Sequence, residues 1–469
     1  MTSTLPIPRN DATLAGELIA AAIVGAIFLL LLGLAELWRR ALSPPAEWTR
    51  KFVHMSSGVL AGFFPWIFRT HWTLLVLGTA MVTIFTVGRR RGWFRAVLGV
   101  ERSSSGERWF PVGVYLLNVI AREQPVFYLI SLSALVVSDA LAALLGTRYG
   151  EHHFPVGGGR KSFEGSAVFL LTTFLGVHLP LLLLTDLGRT ECVVIALQLA
   201  LITTAFEAIA QHGNDNLIVP LATYYLLVKM TAHDAHWIVL QLAAQLGMLV
   251  FMLLLARGNR FLSFAGALAA HLVLYAAWSL GGPRWTLAPA LTLAGYLAVV
   301  MAHLRGSEPP AGGHQVQGVF YVSVVAVLLL FLDNSLSTLP RFGSPTPREH
   351  PLFAPFVGAL AAPLAITIGR HLEPRPLLPG LDRRWLLGGV IAFLAVPPLA
   401  LLTVGTLHLP IDLACAAAMV ALALLIYAFL RGRGEPTADL PLDLRTQGLA
   451  AALSSLVVTP LYLRWIGII

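Results

Sequence analysis

The chain has 469 residues, 57% of them hydrophobic and only 12% charged, with a formal net charge of +8. Soluble domains carry about 25% charged residues, so the composition excludes an ordinary soluble globular enzyme. The positive charge lies between apolar runs, where it fixes membrane topology. No nucleic-acid partner is expected, and the two cysteines, Cys192 and Cys415, sit in apolar runs and offer neither a disulfide framework nor metal-ligand spacing.

Runs of about 17–25 apolar residues can cross a bilayer. Here they are continuous rather than alternating, so helices and not barrel strands are predicted. The clearest fall at 16–37, 72–88, 125–146, 163–184, 191–210, 237–256, 261–281, 285–304, 317–332, 385–406, 410–430 and 447–467. Shorter or more polar ones fall at 52–68, 109–121, 216–231 and 353–369. The expected fold is all-α: a polytopic transmembrane helical bundle of about sixteen spans by the 20-residue rule, with no β-sheet domain. The first run lacks a basic leader and a small-residue cleavage site, so it is expected to stay as a helix.

Basic residues follow the runs in alternation: Arg39, Arg40, Arg50 and Lys51, then Arg89 to Arg91, then Arg148, Arg160 and Lys161. Counting spans puts these loops on one side, predicting an outside N-terminus and cytoplasmic loops in a bacterial cytoplasmic membrane. Patterned polar residues concentrate in residues 1–235. Residues 236–469 read as plain apolar helices of unassigned role, and no internal repeat is evident.

In chain order, the first polar cluster is Arg50, Lys51 and His54, at spacing i, i+1, i+4 on one helix entrance. Such a set can bind a phosphate or orient a hydroxyl, although topology alone also accounts for the two cations. Ser105-Gly106-Glu107 is a weaker feature. Asp139 then lies inside an apolar run. An acid at mid-span costs roughly 2.5–3.5 kcal/mol on insertion scales, so a cation, metal or water-filled cavity is expected beside it.

Next comes Gly157-Gly158-Gly159-Arg160-Lys161-Ser162, leading directly into a helix through Glu164 and Gly165. Glycines allow close backbone approach, and a helix start offers free N–H groups to phosphate. The spacing is not that of a Walker loop, and a mobile basic loop is the competing reading. The last cluster is Glu207 with Gln211-His212-Gly213-Asn214-Asp215-Asn216 and Pro220. Its oxygen-rich side chains suit Mg²⁺, while a plain helix cap would use Asn214 or Asp215 alone.

Taken together, Arg50-Lys51-x-x-His54-x-x-x-Gly58, Asp139-x-x-Ala142-x-x-x-Gly146-x-x-x-Gly150, Arg160-Lys161-Ser162-Phe163-Glu164-Gly165-Ser166, and Glu207 with Asp215-Asn216 and Pro220 resemble the dolichol kinase, phytol kinase and CTP-dependent diacylglycerol kinase family. That family is related to the phosphatidate cytidylyltransferases. The resemblance covers about residues 45–230. It implies CTP-dependent phosphorylation of a membrane lipid alcohol, with Mg²⁺ and with partners limited to CTP, the lipid and the bilayer.

It further implies that Asp139, Glu207 and Asp215 hold the metal. Arg50, Lys51, Gly158, Gly159, Arg160, Lys161, Ser162, Glu164, Gly165 and Asn216 would then serve the nucleotide, and His54, Asp139 and Lys161 the chemistry. Ser138 stands where many of these kinases have glycine. The helix 203–211 lacks the basic stretch usual in the cytidylyltransferases, which favours the kinase. A transporter or scaffold whose acids line an ion path would not need the basic glycine-rich loop.

Overall fold

The computed structural model describes residues 13–99, 105–157, 159–258, 261–303, 316–338, 350–372, 376–378, 381–404, 408–431 and 440–468. The chain forms two compact units, Met1–Ala243 and Ala244–Ile469. It is an integral multi-pass membrane protein: among the described residues, thirteen helices are long and apolar enough to cross a bilayer.

The first unit runs α1 (Leu14–Leu42), α2 (Ala46–Gly62), α3 (Phe64–Ile67), α4 (His71–Arg91), α5 (Arg95–Leu98), α6 (Gly106–Ala121) and α7 (Pro125–Tyr149). A hairpin of β1 (His153–Val156) and β2 (Gly159–Ser162) follows, then α8 (Phe163–Leu184), α9 (Arg189–Ile209) and α10 (Asp215–Thr231). The unit boundary falls within α11 (Ala235–Gly258). The expected all-α bundle is present, with strands among the described residues confined to short hairpins.

Three of the sequence candidates are short helices. Helices α2, α6 and α10 have 17, 16 and 17 residues. At 1.5 Å per residue they reach only about 24–26 Å, against a hydrocarbon core of roughly 30 Å. Each carries an acid in its first turn: Glu47 on α2, Glu107 on α6 and Asp215 on α10.

Helix α7 is the inner helix of this unit, buried along most of its length from Pro125 to Ala142. Glycines bring α8 against it: a Cβ on Gly165 would lie 3.2 Å from the Ala142 carbonyl oxygen and 3.4 Å from Gly146 Cα. Ser162 caps α8, its Oγ accepting from Gly165 N at 3.1 Å. Gly58 lets α2 lie against Val136 of α7.

The second unit runs α12 (Phe264–Gly281), α13 (Pro283–His303), α14 (Val316–Thr338) and α15 (Phe353–His371), then β3 (Pro376–Leu378) and β4 (Leu381–Asp382), α16 (Arg383–Ala395), α17 (Pro397–Val404), α18 (Leu409–Arg431) and α19 (Leu440–Trp465). Its inner helix, α15, is buried from Phe353 to Gly369. The order inner helix, hairpin, helix repeats that of the first unit, although the sequence shows no repeat.

The packing repeats as well. Gly388 presses on the Ala365 carbonyl and Gly369 Cα as Gly165 does on Ala142 and Gly146, each pair 223 residues apart (142 to 365, 146 to 369, 165 to 388). The same offset sets Ala362 where the first unit has Asp139, and Arg384 where it has Lys161. Among the buried acids of the second unit, Asp443 on α19 is held by Arg370, Arg431, Tyr427 and Gln447.

Candidate active site

A cavity of about 990 Å³ lies inside the first unit. Its charged end is built by four segments. The first turns of α2 bring Arg50, Lys51 and His54, and mid-α7 brings Asp139. The hairpin brings Gly159, Arg160, Lys161 and Ser162, with Gly165 just inside α8, and the α9–α10 turn brings Glu207, Asp215 and Asn216.

Two buried ion pairs organise this end. Lys51, only 4% exposed, donates from Nζ to Asp139 Oδ2 at 2.5 Å. Helical spacing carries His54 to the same acid, with Nε2 3.5 Å from Asp139 Oδ2. That nitrogen is buried without a hydrogen-bond partner, and the ring packs on Phe110 at 4.9 Å between centroids. Lys161 Nζ donates to Glu207 Oε1 at 2.7 Å and also to the Glu207 backbone carbonyl. Arg50 is tied to Glu47 of its own helix at 2.8 Å.

The hairpin replaces the open loop expected from the sequence. Phe154 pairs with Lys161 and Pro155 with Arg160 in antiparallel register. Gly157 turns the chain at φ +50°, and a Cβ there would run into the Gln211 side chain. Lys161 therefore comes from a strand rather than a mobile loop. Gly158 lies outside the described residues.

The helix start is not an open anion site either. Phe163 N donates to the His152 carbonyl and Gly165 N to Ser162 Oγ, so two of its early N–H groups are engaged. Glu164 does not line the cavity. Its carboxylate takes His152 Nδ1 at 2.8 Å instead. The His152 imidazole, outside the spans, is raised from its ordinary value by that hydrogen bond to Glu164.

The α9–α10 turn is held by left-handed backbone at His212 (φ 56°) and Gly213 (φ 81°). Ser105 N donates to the His212 carbonyl at 2.8 Å. Asn216 Nδ2 donates to the Gly106 carbonyl at 3.2 Å, and its Oδ1 is buried with no partner. Gly113 permits this fit: a Cβ there would strike the Asn216 carbonyl.

Four lysine or arginine side chains and five carboxylates line the cavity, a formal balance of −1. A polyanionic ligand in such a site would need counter-cations. Among the described residues no group of three or more His, Cys, Asp or Glu stands ready as a metal cage. Mg²⁺ needs only one or two protein carboxylates when phosphates and water complete its shell. Asp215 and the unpartnered Asn216 Oδ1 offer hard oxygens, and Asp139 and Glu207 offer more where Lys51 and Lys161 release them, so the residue chemistry fits although no preformed cage is present.

Sequence reasoning missed Ser57, Phe110 and Thr147, which also line the cavity. Ser57 was within reach of the sequence, since it continues the His54 face at i+3. Phe110 and Thr147 carry no sequence signal of their own.

Two known proteins are similar to this chain. A phytol kinase of the cyanobacterium Synechocystis sp. is 31% identical, the match taking in 44% of this chain and 87% of that protein. A probable chloroplastic phytol kinase of Oryza sativa subsp. japonica is 29% identical over 37% of this chain and 62% of its own length. No family model matches the chain. No solved structure matches it. With nearly the whole length of the cyanobacterial protein matched, the chain belongs to the dolichol and phytol kinase family.

Proposed function

We propose that the N-terminal unit is a CTP-dependent kinase of a membrane lipid alcohol, acting at the cytoplasmic face of a bacterial cytoplasmic membrane. The observation that carries this reading is one cavity in which paired cations and carboxylates meet apolar helix walls. The names of both relatives, phytol kinases, support it.

In the reaction the lipid hydroxyl oxygen attacks the γ-phosphorus of CTP in line. An oxygen–phosphorus bond forms, the bond from the γ-phosphorus to the bridging oxygen breaks, and CDP leaves with that electron pair. The hydroxyl proton passes to His54 Nε2, which is buried, without a hydrogen-bond partner, and close to Asp139. Asp139 Oδ2, 3.5 Å from that same nitrogen, steadies the imidazolium that results by its charge.

Arg50, Arg160 and Lys161 bind phosphate oxygens, and Gly159 lets the hairpin backbone approach them. Lys51 and Lys161 each already hold a carboxylate. Triphosphate binding therefore redistributes existing ion pairs rather than filling a bare cationic pocket. Asp139, Glu207, Asp215 and Asn216 would hold Mg²⁺, which when bound offsets the triphosphate charge.

The test is product analysis on purified protein given CTP, Mg²⁺, a panel of lipid alcohols, and phosphatidate. CDP release with a phosphorylated alcohol is expected. Pyrophosphate release from phosphatidate would instead mark a cytidylyltransferase, and no turnover with any acceptor would return the chain to transport or scaffolding.

A further inference from the structure

The second unit repeats more of the first than the contact between inner helix and following helix. Helix α13 meets the inner helix α15 through Gly295, where a Cβ would lie 3.1 Å from the Leu364 side chain, as α2 meets α7 through Gly58. Helices α14 and α19 touch through Gly448, where a Cβ would lie 2.7 Å from the Tyr321 carbonyl oxygen, as α6 and α10 touch through Gly113. The order α13, α14, α15, hairpin, α16 with α17, α18, α19 thus follows α2, α6, α7, hairpin, α8, α9, α10.

The residues of the proposed chemistry are not repeated. Counting back from the paired glycines puts Ala288 at the place of Lys51 and Leu291 at that of His54. The 223-residue offset puts Ala362 at that of Asp139. Ala288 and Ala362 are fully buried in one apolar cluster, and Leu291 packs against it. Hydrocarbon therefore stands where the first unit buries an ammonium, an imidazole and a carboxylate.

The charges of the second unit gather instead on Asp443, in the first turn of α19 as Asp215 is in the first turn of α10. Its oxygens take four donors. Oδ1 accepts from Tyr427 at 2.5 Å and from Arg431, and Oδ2 accepts from Gln447 at 2.8 Å and from Arg370. A carboxylate has about four acceptor sites, so this one has none left for a metal ion. By the same offset Arg370 stands at Thr147, which lines the cavity of the first unit, and Arg431 stands at Ala208, beside Glu207. Two small side chains around the first site have become two guanidiniums, both engaged by the one acid.

We propose that the second unit is a silent copy of the kinase unit: its transfer site has become apolar core, its remaining acid is a buried lock joining α15, α18 and α19, and it binds no CTP. The inference rests on the kinase reading for what the copy has lost. The lock rests on the ion cluster itself.

The test uses the full chain in detergent with Mg²⁺ and a CTP photoprobe carrying an aryl azide on its γ-phosphate. Cross-links should fall in α2, the β1–β2 hairpin or the α9–α10 turn, and none in α15, α18 or α19. Asp443→Asn leaves two buried guanidiniums facing each other and should lower the melting temperature by about 6 °C or more. KM for CTP and turnover, measured well below the melt, should stay at the parent values. Arg431→Met leaves Asp443 with Arg370 and its neutral partners; it should melt between the two and decides the matter if Asp443→Asn does not fold.

Photolabel in α15, α18 or α19 overturns the inference. So does parent-like melting of the variants, or an order-of-magnitude loss of CTP affinity or turnover in a variant that is still folded. Absence of label from the whole chain sinks the kinase reading alone, and the melting shifts then still decide the lock.

Discussion

Asp139→Asn is the substitution whose consequences the ion pair fixes most tightly. The change keeps side-chain size but deletes the charge that faces Lys51, whose side chain is 4% exposed, while that of Asp139 is 15% exposed. Removing one member of a buried pair costs about 3–5 kcal/mol because the other charge stays buried. Asp139 borders a cavity that water can enter, so we expect the lower end, about 3 kcal/mol. Read as a lone acid in an apolar run, Asp139 suggests the opposite, that losing its charge eases insertion; Lys51 reverses that sign. The companion variant Lys51→Met/Asp139→Asn removes the stranded ammonium and should regain most of the stability. Equilibrium unfolding in detergent gives the energies, and phosphate transfer gives the activity. Both variants should be inactive. A single variant as stable as the parent would refute the buried pair, and an active double variant would remove Asp139 from the site.

Lys161→Ala frees Glu207 and removes a phosphate ligand, so KM for CTP should rise by one to two orders of magnitude, about 1.4–2.8 kcal/mol, in steady-state assays across CTP concentration. Chelation by EDTA should stop turnover, and added Mg²⁺ should restore it; persistence in EDTA would contradict the charge balance argued for the cavity. Gly157→Ala places a methyl against Gln211 at a left-handed position, which costs about 1–2 kcal/mol and should weaken CTP binding while sparing the fold as read by thermal unfolding. The His152 imidazole is raised above its ordinary 6.5 by Glu164. The support it gives the hairpin is therefore complete below that pH and lost as pH rises through the raised value. Protection of the hairpin amides against hydrogen exchange, after correction for the intrinsic rise of exchange with pH, should fall between mildly acid and mildly alkaline pH, and Glu164→Gln should remove that fall. Cysteines at His153 and His212, in a background without Cys192 and Cys415, should label from one membrane side and a cysteine at Asp186 from the other.

The apolar runs were legible because a bilayer-spanning helix must be long and continuous, and the thirteen long helices lie where those runs do. The short helices α2, α6 and α10 were legible only as the weaker candidates, since composition does not record that a helix stops a few residues early. Nor was the hairpin at 153–162, whose four-residue strands are too short for an alternating pattern. Glu164 sat in the middle of a motif, yet its position on α8 turns it toward His152 and away from the cavity. Pairings such as Lys51 with Asp139, 88 residues apart, follow from tertiary packing and leave no local trace. The recurrence in the second unit survives chiefly as a close contact between small residues, which needs only two glycines and an alanine in each copy and so escapes notice as sequence.

In the proposed reaction one cavity brings the terminal phosphate of CTP to a lipid hydroxyl. Its most direct measurement follows two labels in parallel, CTP carrying radiophosphorus at the γ position and CTP carrying it at the α position, each incubated with purified protein, Mg²⁺ and a twenty-carbon isoprenoid alcohol. The account predicts label in the lipid product from γ-labelled CTP only, with α-label recovered as CDP, and no transfer by the Lys51→Met/Asp139→Asn variant. Label entering lipid from the α position, or transfer that survives in that variant, would contradict it.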